Sequence, residues 1–454
     1  VHVVGVGGSG MSAIAAVLAG MGHQVSGSDL KDSSGLQRLA DAGVRTFVGH
    51  AAEHVEGAEV VAISTAVPPS NPEVVRAGEL GLPVLRRAEV LAAICATRRT
   101  IAVAGTHGKT TTSSMLALVL IEAGLQPSFI IGGDIAQIGS GAAWDEGEWF
   151  VVEADESDGT FVELPRALAV VTNVEPDHLE HYGGFDPLVE AFETFVGDAE
   201  QAVVCLDDDG AARLAASTGA TTYGTTDGAD FHMRDLRASG TGTTFEVRWR
   251  DEVGDRSDQV SLPVPGLHNA RNACAAFATG VLAGADPEAA AAALGRFGGV
   301  ARRFESRGEV AGITFVDDYA HLPTEVAAAI EAARSGSWTR LVCAFQPHRY
   351  SRTAALWQDF ADAFEGVDAL ALTDVYGAGE QPRPGVTGKL LVDAVLDAHP
   401  WHRVAYLPRR DDLVRWLTAE LRPGDLCLSL GAGDITNLAS EVQAALVAGE
   451  AASA

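Results

Sequence analysis

The sequence predicts an α/β protein made of three successive units of alternating strand and helix. Three observations carry this. A strand run at Val1-His2-Val3-Val4 enters a glycine turn and then a helix. A second strand run, Thr100-Ile101-Ala102-Val103-Ala104, enters a second glycine turn and helix. From residue 301 onward, strand and helix runs alternate to the end of the chain. A chain of 454 residues has room for about three domains of ordinary size. Its hydrophobic fraction, 47%, is enough for ordinary cores.

The second glycine turn is the most informative stretch. Gly105-Thr106-His107-Gly108-Lys109-Thr110-Thr111-Thr112 follows a buried strand and precedes Ser113 to Ala123. That run is apolar at helical spacing (Met115, Leu116, Val119, Leu120, Ala123) and is closed by Gly124. Strand, glycine loop, Gly-Lys-Thr and helix is the order a phosphate cradle needs. Backbone N–H groups at the helix start face anionic oxygens, and the helix dipole favours negative charge there. Lys109 can reach the outer phosphates of a nucleotide, and the Thr110 hydroxyl can hold Mg²⁺. The common phosphate loop has a glycine five residues before the glycine of Gly-Lys-Thr. Here that position is Val103 and the glycine is Gly105, so the loop is shorter.

In the first segment, residues 1–97, Gly5, Gly7 and Gly10 fit G-x-G-x-x-G ahead of a helix predicted from Met11 to Met21. Val25-Ser26-Gly27-Ser28-Asp29 follows as a strand ending in an acid, about twenty residues on, as in a dinucleotide fingerprint. Such a module can hold any pyrophosphate, NAD included, or it can be only a tight strand-to-helix turn. Further strands are predicted near Val44–Phe47 and Glu59–Ser64, before a Pro68-Pro69 turn and a helical stretch.

In the middle segment, residues 98–300, the strand Trp149-Phe150-Val151-Val152 ends in Glu153-Ala154-Asp155-Glu156. Acids at the carboxyl end of a strand beside a phosphate loop are placed to hold Mg²⁺ directly or through water. A strand from Ala167 to Thr172 leads to Asn173-Val174-Glu175-Pro176-Asp177-His178, which puts His178 at a strand's carboxyl end as well. Between Phe231 and Leu262 the pattern changes. Thr243, Phe245, Val247 and Trp249 alternate with polar residues, which predicts a small antiparallel sheet. Gly266-Leu267-His268-Asn269-Ala270-Arg271-Asn272 then opens an alanine-rich helix. Asn269 and Asn272 share one face of its first turn, where they can cap it or read a base edge.

In the last segment, residues 301–454, strands are predicted at Ile313–Val316, Leu341–Phe345, Ala369–Thr373, Val404–Leu407 and Leu426–Leu430. Helices such as Pro323–Arg334 and Thr353–Phe364 lie between them. Polar clusters stand at strand ends: Asp317-Asp318-Tyr319-Ala320-His321, then Gln346 to Arg352, then Gly431-Ala432-Gly433-Asp434. Arg349 and Arg352, three apart, can grip one carboxylate or be surface residues at a helix start.

The formal charge of −29 argues against wrapping a nucleic-acid backbone or resting on an anionic membrane. An anionic substrate must then be met by a local patch or by metal ions. Lysine is scarce: Lys31, Lys109 and Lys389 are the only ones among 32 basic residues, yet one stands in the phosphate loop. Five cysteines, widely spaced and without a C-x-x-C pair, fit reduced thiols in a cytoplasmic protein. No run of about eighteen apolar residues occurs. The chain opens at Val1, already inside a strand run, so its native start is expected upstream.

Nine motifs recur in one order along nearly the whole chain. They are GVGGSGM from Gly5, GTHGKTTT from Gly105, EADESD from Glu153, NVEPDH from Asn173, HNARNA from His268, RRFE from Arg302, DDYAH from Asp317, FQPHRYSRT from Phe345 and GAGD from Gly431. Together they resemble the Mur ligases, most closely the member that joins L-alanine to UDP-N-acetylmuramate. The resemblance implies three domains: 1–97, Rossmann-like and binding the UDP-sugar; 98–300, a P-loop ATPase with a parallel sheet and a small antiparallel one; and 301–454, Rossmann-like and closing over the amino acid.

By the same resemblance Gly7, Gly8, Ser9, Gly10 and Met11 hold UDP-N-acetylmuramate, with Ser28, Asp29, His50, Ser64, Thr65 and Ala66 lining that site. ATP falls to Gly105, Thr106, His107, Gly108, Lys109, Thr110 and Thr111, with Asn272 on adenine, Asp318 on the ribose and Arg303 on the phosphates. Tyr319, His321, Arg349 and Arg352 surround L-alanine. Lys109, Glu153 and His178 are the implied catalytic residues. Thr110 and Glu153 hold one Mg²⁺ and His178 a second. Several relatives that add later residues of the stem peptide support the second Mg²⁺ with a carbamoylated lysine of the central domain.

The chain departs from the family pattern at three positions. Ala301 stands where a basic residue often precedes RRFE, Leu322 replaces a second histidine after His321, and Gly377 replaces a proline.

The implied reaction is ATP-dependent amide formation through an acyl phosphate, in peptidoglycan precursor synthesis. Three other readings compete: a recycling ligase that adds a whole tripeptide to the same sugar nucleotide, an NAD-dependent oxidoreductase using the first glycine turn, and a nucleotide-switch binding protein. No Ser-His-Asp or Cys-His nucleophile is indicated. The motifs say nothing of oligomeric state.

Overall fold

The first sheet is parallel throughout. Its strands are β1 (His2–Val4), β2 (Ser26–Asp29), β3 (Arg45–Val48), β4 (Val61–Ile63) and β5 (Val84–Arg86), in the order β3-β2-β1-β4-β5. Strand order reverses between β1 and β4, and at such a switch point ligands gather beyond the carboxyl ends of the strands. The connecting helices are α1 (Ser9–Gly20), α2 (Ser34–Asp41), α3 (Pro72–Glu79) and α4 (Arg87–Cys95). α3 starts where a start signal is strongest: Asn71 caps it, accepting the Glu73 N–H at 2.9 Å, and Pro72 opens the first turn. The computed structural model describes residues 1–135, 137–239 and 242–453.

The chain divides into two compact units. One comprises Val1–Asp235, Phe245–Ser261 and Arg271–Phe297; the other comprises Leu236–Thr244, Leu262–Ala270 and Gly298–Ala454.

The second sheet has ten strands. They are β6 (Arg99–Ala104), β7 (Ser128–Ile135), β8 (Ser140–Ala143), β9 (Trp149–Glu153), β10 (Leu168–Val171), β11 (Gln201–Cys205), β12 (Thr221–Gly224), β13 (Phe231–Ser239), β14 (Gly242–Asp251) and β15 (Gly254–Leu262). The order is β15-β14-β13-β12-β11-β10-β6-β9-β7-β8, with β6 flanked by β10 and β9. From β7 through β13 the paired strands run parallel, and β8 adds an antiparallel edge. Helix α5 (Lys109–Glu122) leaves β6 and is buried from Thr110 to Leu120 on every face. Such a helix belongs to an interior layer, which explains its uninterrupted small and apolar residues.

Helices α6 (Leu179–Tyr182), α7 (Phe185–Gly197), α8 (Asp209–Thr218), α9 (Leu267–Leu282) and α10 (Pro287–Leu294) complete this part. The first sheet's α1 meets the central region closely: a Cβ on Gly20 would fall 2.8 Å from the Trp144 Cβ, so only glycine fits there.

In the second unit, strands β16 (Glu305–Val310), β17 (Ile313–Asp318), β18 (Arg340–Phe345), β19 (Ala369–Leu372), β20 (Val404–Tyr406) and β21 (Asp425–Leu430) form a sheet in the order β16-β17-β21-β18-β19-β20. All pairs are parallel except β16 with β17. Successive residues of one strand serve opposite cores. Val316 packs with Phe345, Phe360 and Leu391, while Phe315 packs with Val342, Leu413 and Leu417. Both faces are therefore covered, as parallel sheets require. The helices here are α11 (Pro323–Arg334), α12 (Tyr350–Leu356), α13 (Lys389–Ala398), α14 (Arg410–Glu420) and α15 (Leu438–Ser453).

The helix predicted over Thr353–Phe364 is a correction: α12 ends at Leu356. The chain then continues in single turns, with Asp359, Ala361, Ala363 and Glu365 each donating to a carbonyl three residues back. Phe360, Ala363 and Phe364 stay in the core, so the apolar spacing was real although the helix was not.

Candidate active site

Three of the motif loops leave neighbouring strands. GTHGKTTT follows β6, EADESD begins on the last residue of β9, and NVEPDH follows β10. The loop after β6 is clamped by the chain after β10. The Thr106 N–H donates to the Asn173 carbonyl at 3.2 Å and the His107 N–H to Asn173 Oδ1 at 2.8 Å, while Asn173 Nδ2 returns a bond to the His107 carbonyl at 3.1 Å. Thr172 Oγ1 donates to that same carbonyl at 2.5 Å.

Gly105 at φ +134° and Gly108 at φ +80° hold backbone conformations that glycine favours. Neither has space for a side chain: a Cβ would meet Thr172 Oγ1 at 2.0 Å or Asn272 Oδ1 at 2.5 Å. The second contact brings Asn272 to the loop. Asn269, by contrast, turns back on its own helix entry, its Nδ2 donating to the Pro265 carbonyl at 2.7 Å.

Thr110 and Glu153 meet. The Thr110 hydroxyl donates to Glu153 Oε1 at 3.2 Å, and Glu153 Oε2 accepts the Gly132 N–H at 2.9 Å. A hydroxyl and a carboxylate side by side at a phosphate loop are the hard oxygen donors that Mg²⁺ prefers, so these residues fit that ion. His178 stands further along, in a left-handed conformation (φ +54°) that caps α6, with Nε2 3.4 Å from Asp177 Oδ2. Among the described residues, no group of three or more His, Cys, Asp or Glu is arranged to hold a metal ion.

Lys109 is engaged by protein groups. Its Nζ donates to Glu156 at 2.8 and 3.1 Å, to the Gly105 carbonyl at 2.6 Å and to the Thr106 carbonyl at 3.2 Å. Burial works against its charge, and the carboxylates of Glu156, Asp155 and Glu153 overcome that, so its pKa is raised. Glu156 belongs to a motif the sequence singles out, but its pairing with Lys109 was not foreseen. Thr111 continues α5 and is buried.

In the first sheet, Gly5 (φ +77°) turns the chain, and the Gly7 N–H donates to Asp29 Oδ2 at 2.9 Å. Asp29 Oδ1 accepts the Lys31 N–H at 3.3 Å, so both carboxylate oxygens are engaged. Gly8 caps α1, Ser9 and Gly10 open it, and Ser64 Oγ lies 3.7 Å from where a Cβ on Gly5 would be. Thr65 and Ala66 are exposed beyond β4. Met11 and Ser28 differ from the other residues assigned here. Met11 is 2% exposed and belongs to the core, and Ser28 is fully buried with its hydroxyl given to Glu73 at 2.6 Å.

Arg87 is a residue the sequence reading missed. Its Nη1 sits 3.2 Å from where a Cβ on Gly10 would be, and its charge helps to lower the pKa of Asp155, where burial opposes and Lys109 is the larger favourable influence. Its place beside Glu89 in an ordinary helix start hid it.

In the second unit, Asp318 closes β17, and the loops carrying Gly431 and Arg349 leave the next two strands of the sheet, β21 and β18. Asp318 is 8% exposed and accepts the Phe304 N–H at 2.6 Å and the Ala320 N–H at 2.7 Å. Burial raises its pKa to about 6 against the opposing charge of Arg303. Arg302 and Arg303 both lie over the Tyr319 ring, 4.9 and 5.0 Å from its centroid.

His321 and His348 pack edge to face at 5.6 Å, and His348 stacks on Tyr376. Burial holds both imidazoles down to about 4. Arg352 Nη1 lies 3.2 Å from His348 Nδ1, and Arg349 adopts φ +68° at the head of α12. Two departures from the motif pattern have local causes. Leu322 is buried at the start of α11, where a histidine would need a partner. A Cβ on Gly377 would lie 3.0 Å from Tyr350 Cε2 and 3.1 Å from the Glu380 carbonyl.

Comparison with known proteins agrees with this layout. Three family models match in succession: "Mur ligase family, catalytic domain" over residues 1–99, "Mur ligase middle domain" over 103–280, and "Mur ligase, glutamate ligase domain" over 302–433. The chain is 46% identical over 454 residues to a UDP-N-acetylmuramate–L-alanine ligase of Rubrobacter xylanophilus, covering 98% of this chain and 100% of that protein. It is 44% identical over 448 residues to one of Pelotomaculum thermopropionicum, covering 97% and 96%. Among solved structures, the UDP-N-acetylmuramate–alanine ligase of Thermotoga maritima superposes with a TM-score of 0.81 at 28% identity, covering 100% of this chain and 99% of that one.

Proposed function

The chain belongs to the Mur ligase family, and from that premise we propose that it joins L-alanine to the carboxylate of UDP-N-acetylmuramate at the expense of ATP, for peptidoglycan precursor synthesis. One observation supports the ATP-dependent chemistry above the rest: the phosphate loop and Glu153 meet at the carboxyl edge of the central sheet, through the Thr110–Glu153 bond. The NAD reading of the first turn leaves the phosphate loop from Gly105 to Thr112 without a role.

A carboxylate does not react with an amine in water, so its oxygen must first become part of a leaving group. In the reaction we propose, the substrate carboxylate attacks the γ-phosphorus of ATP, releasing ADP and forming an acyl phosphate. The amine of L-alanine then attacks the acyl carbon, the C–O bond to phosphate breaks, and the amine loses a proton as the amide forms. The first step drives one anion onto another. Lys109 and the N–H groups at the head of α5 offset that repulsion where charge develops. Mg²⁺, when bound by Thr110 and Glu153 with a second ion at His178, would supply further neutralisation.

Asn272, Arg303 and Asp318 serve the nucleotide in this scheme. Tyr319, His321, Arg349 and Arg352 serve L-alanine, and the glycine turn with Asp29, His50, Ser64, Thr65 and Ala66 serves the UDP-sugar. A cytoplasmic setting suits the substrates and the five free, buried cysteines, and no described helix is long and apolar enough to cross a membrane.

The deciding experiment supplies ATP, Mg²⁺ and UDP-N-acetylmuramate, and compares L-alanine with a stem tripeptide as acceptor. Amide product with L-alanine alone is expected. Product only with the tripeptide would replace this reading with the recycling ligase.

A further inference from the structure

One buried carboxylate in the first sheet is surrounded by more partners than the fold needs. Glu73, in the first turn of α3, is fully buried. Its Oε2 accepts the Ser28 hydroxyl at 2.6 Å and lies 3.1 Å from His50 Nδ1. Its Oε1 lies 2.7 Å from His54 Nδ1, 3.4 Å from the Ala51 N–H and 3.7 Å from His2 Nε2. Burial opposes the charge on Glu73, and the surrounding His2, Ser28 and His54 groups outweigh it, holding its pKa down to about 2.

A buried carboxylate and its partners seldom stabilise a fold better than apolar residues of the same volume. Nor is this a metal site, since the described residues hold no such cluster. What the carboxylate does is fix protons. An ionised carboxylate only accepts hydrogen bonds, and a neutral imidazole carries one N–H. Ser28 Oγ, whose proton goes to Glu73, also lies 2.9 Å from His50 Nδ1 and can only accept there, so both neighbours of Nδ1 are acceptors and draw the His50 N–H onto that nitrogen. Its other nitrogen, Nε2, is left as an acceptor on a side chain that is 14% exposed.

His50 follows β3, two strands out from the glycine turn that follows β1. Strands lie about 4.8 Å apart, so His50 stands roughly 10 Å from the turn across the sheet edge. With the diphosphate at the turn, that distance reaches the nucleoside end of the substrate. A nucleoside offers hydrogen-bond donors there, in its ribose hydroxyls and its uracil N–H.

We propose that Glu73 is a positioning residue of the sugar-nucleotide site, locking His50 into the Nδ1–H tautomer so that Nε2 accepts a hydrogen bond from the uridine of the substrate. This rests on the placement of His50 in the UDP-sugar site given above. Ser28 takes part from behind: its hydroxyl is spent on Glu73, and it does not touch the ligand.

The test uses the full-length enzyme. Loss of one oriented hydrogen bond corresponds to a rise of about 3–10-fold in KM for UDP-N-acetylmuramate. That rise is expected in both Glu73→Gln and His50→Ala, with KM for ATP unchanged and kcat little altered. The double variant should be no worse than His50→Ala, because Glu73 acts through His50. Ring ¹⁵N shifts of His50 in the wild type should report Nδ1–H, a measurement that stands even if Glu73→Gln folds poorly.

His50→Ala raising KM while folded Glu73→Gln leaves it unchanged would overturn the role of Glu73 and spare the sugar-site assignment. His50→Ala without effect would overturn that assignment and this inference with it. An Nε2–H tautomer in the wild type would overturn the inference alone.

Discussion

Lys109 donates to Glu156 at 2.8 Å in the present arrangement, so meeting a phosphate means exchanging one anionic partner for another. Burial pushes the Glu156 carboxyl up in spite of Lys109, whereas the carboxylates around Lys109 raise its own pKa and keep the ammonium charged at the head of α5. Lys109→Ala should lower the ligation rate by about 10²–10³-fold, the usual consequence of losing one preorganised contact to a developing anion. UDP-sugar binding should survive, because its residues belong to the first sheet. Titration calorimetry with the sugar nucleotide, beside a rate assay, separates the two, and a variant within twofold of wild type would remove the lysine from the mechanism.

Asp318 carries a different signature. Its pKa is raised from 3.8 to about 6 by burial, so the native state binds the proton more tightly than the unfolded chain does. The stabilisation is complete below about pH 4 and is lost as pH rises through about 6, amounting to about 3 kcal/mol in all. Asp318→Asn should flatten that part of the stability–pH curve. KM for ATP should also rise below pH 6 in the wild type, where the protonated carboxyl accepts a ribose hydroxyl less strongly than the carboxylate does, and should stay level in the variant.

The loop between β6 and α5 is short, and its shape depends on two glycines, each at positive φ and each without space for a side chain. Gly105 has a φ of +134° and a threonine hydroxyl 2.0 Å from where a Cβ would be. Gly105→Ala should cost about 1–3 kcal/mol through strain alone. It should also lower ATP turnover more than ten times, while leaving the melting of the second unit little changed. Differential scanning calorimetry and ATP hydrolysis read the two effects, and a fully active Gly105→Ala enzyme would show that the loop is not held as drawn.

This loop was legible in the sequence because every signal for it is local: a β-branched strand, glycines at fixed offsets, then helical spacing. The helix itself begins at Lys109, four residues ahead of the apolar run at Ser113, because threonines at a helix head carry no periodic signal. Strands β5 and β16 escaped for want of pattern. β5 is three residues long, and β16 (Glu-Ser-Arg-Gly-Glu-Val) is a charged edge strand of the kind that resists edge pairing. Glu73 was hidden differently. Asn71-Pro72-Glu73 reads as a routine helix start, and its partners Ser28, His50 and His54 lie 45, 23 and 19 residues away along the chain. Only the folded sheet brings them together.

The composition of the whole chain bears on the second metal. With a formal charge of −29 the molecule repels its own anionic substrates, so positive charge must be supplied at the site. Mg²⁺ ions can supply it, and relatives that add later stem-peptide residues support the second ion with a carbamoylated lysine in the central domain, an anionic ligand whose formation needs a lysine ε-amine. Between Lys109 and Lys389 this chain has none, and Lys109 is committed to the phosphate loop. The second Mg²⁺ must then rely on unmodified ligands, with His178 the candidate at the end of the β10 loop. An imidazole is a poor Mg²⁺ ligand beside oxygen donors, so water, phosphate and substrate carboxylate are expected to fill most of the shell. Two outcomes follow. Activity should be the same in CO₂-stripped buffer with or without added bicarbonate. His178→Ala should raise the Mg²⁺ concentration for half-maximal rate several-fold, a modest effect because one weak ligand is lost among several. Bicarbonate rescue would mean that a carbamoylated group contributes after all, and from three lysines only Lys31 and Lys389 would remain to supply it. A His178→Ala enzyme with unchanged Mg²⁺ dependence would instead move the second ion away from the β10 loop, toward the acids at the end of β9.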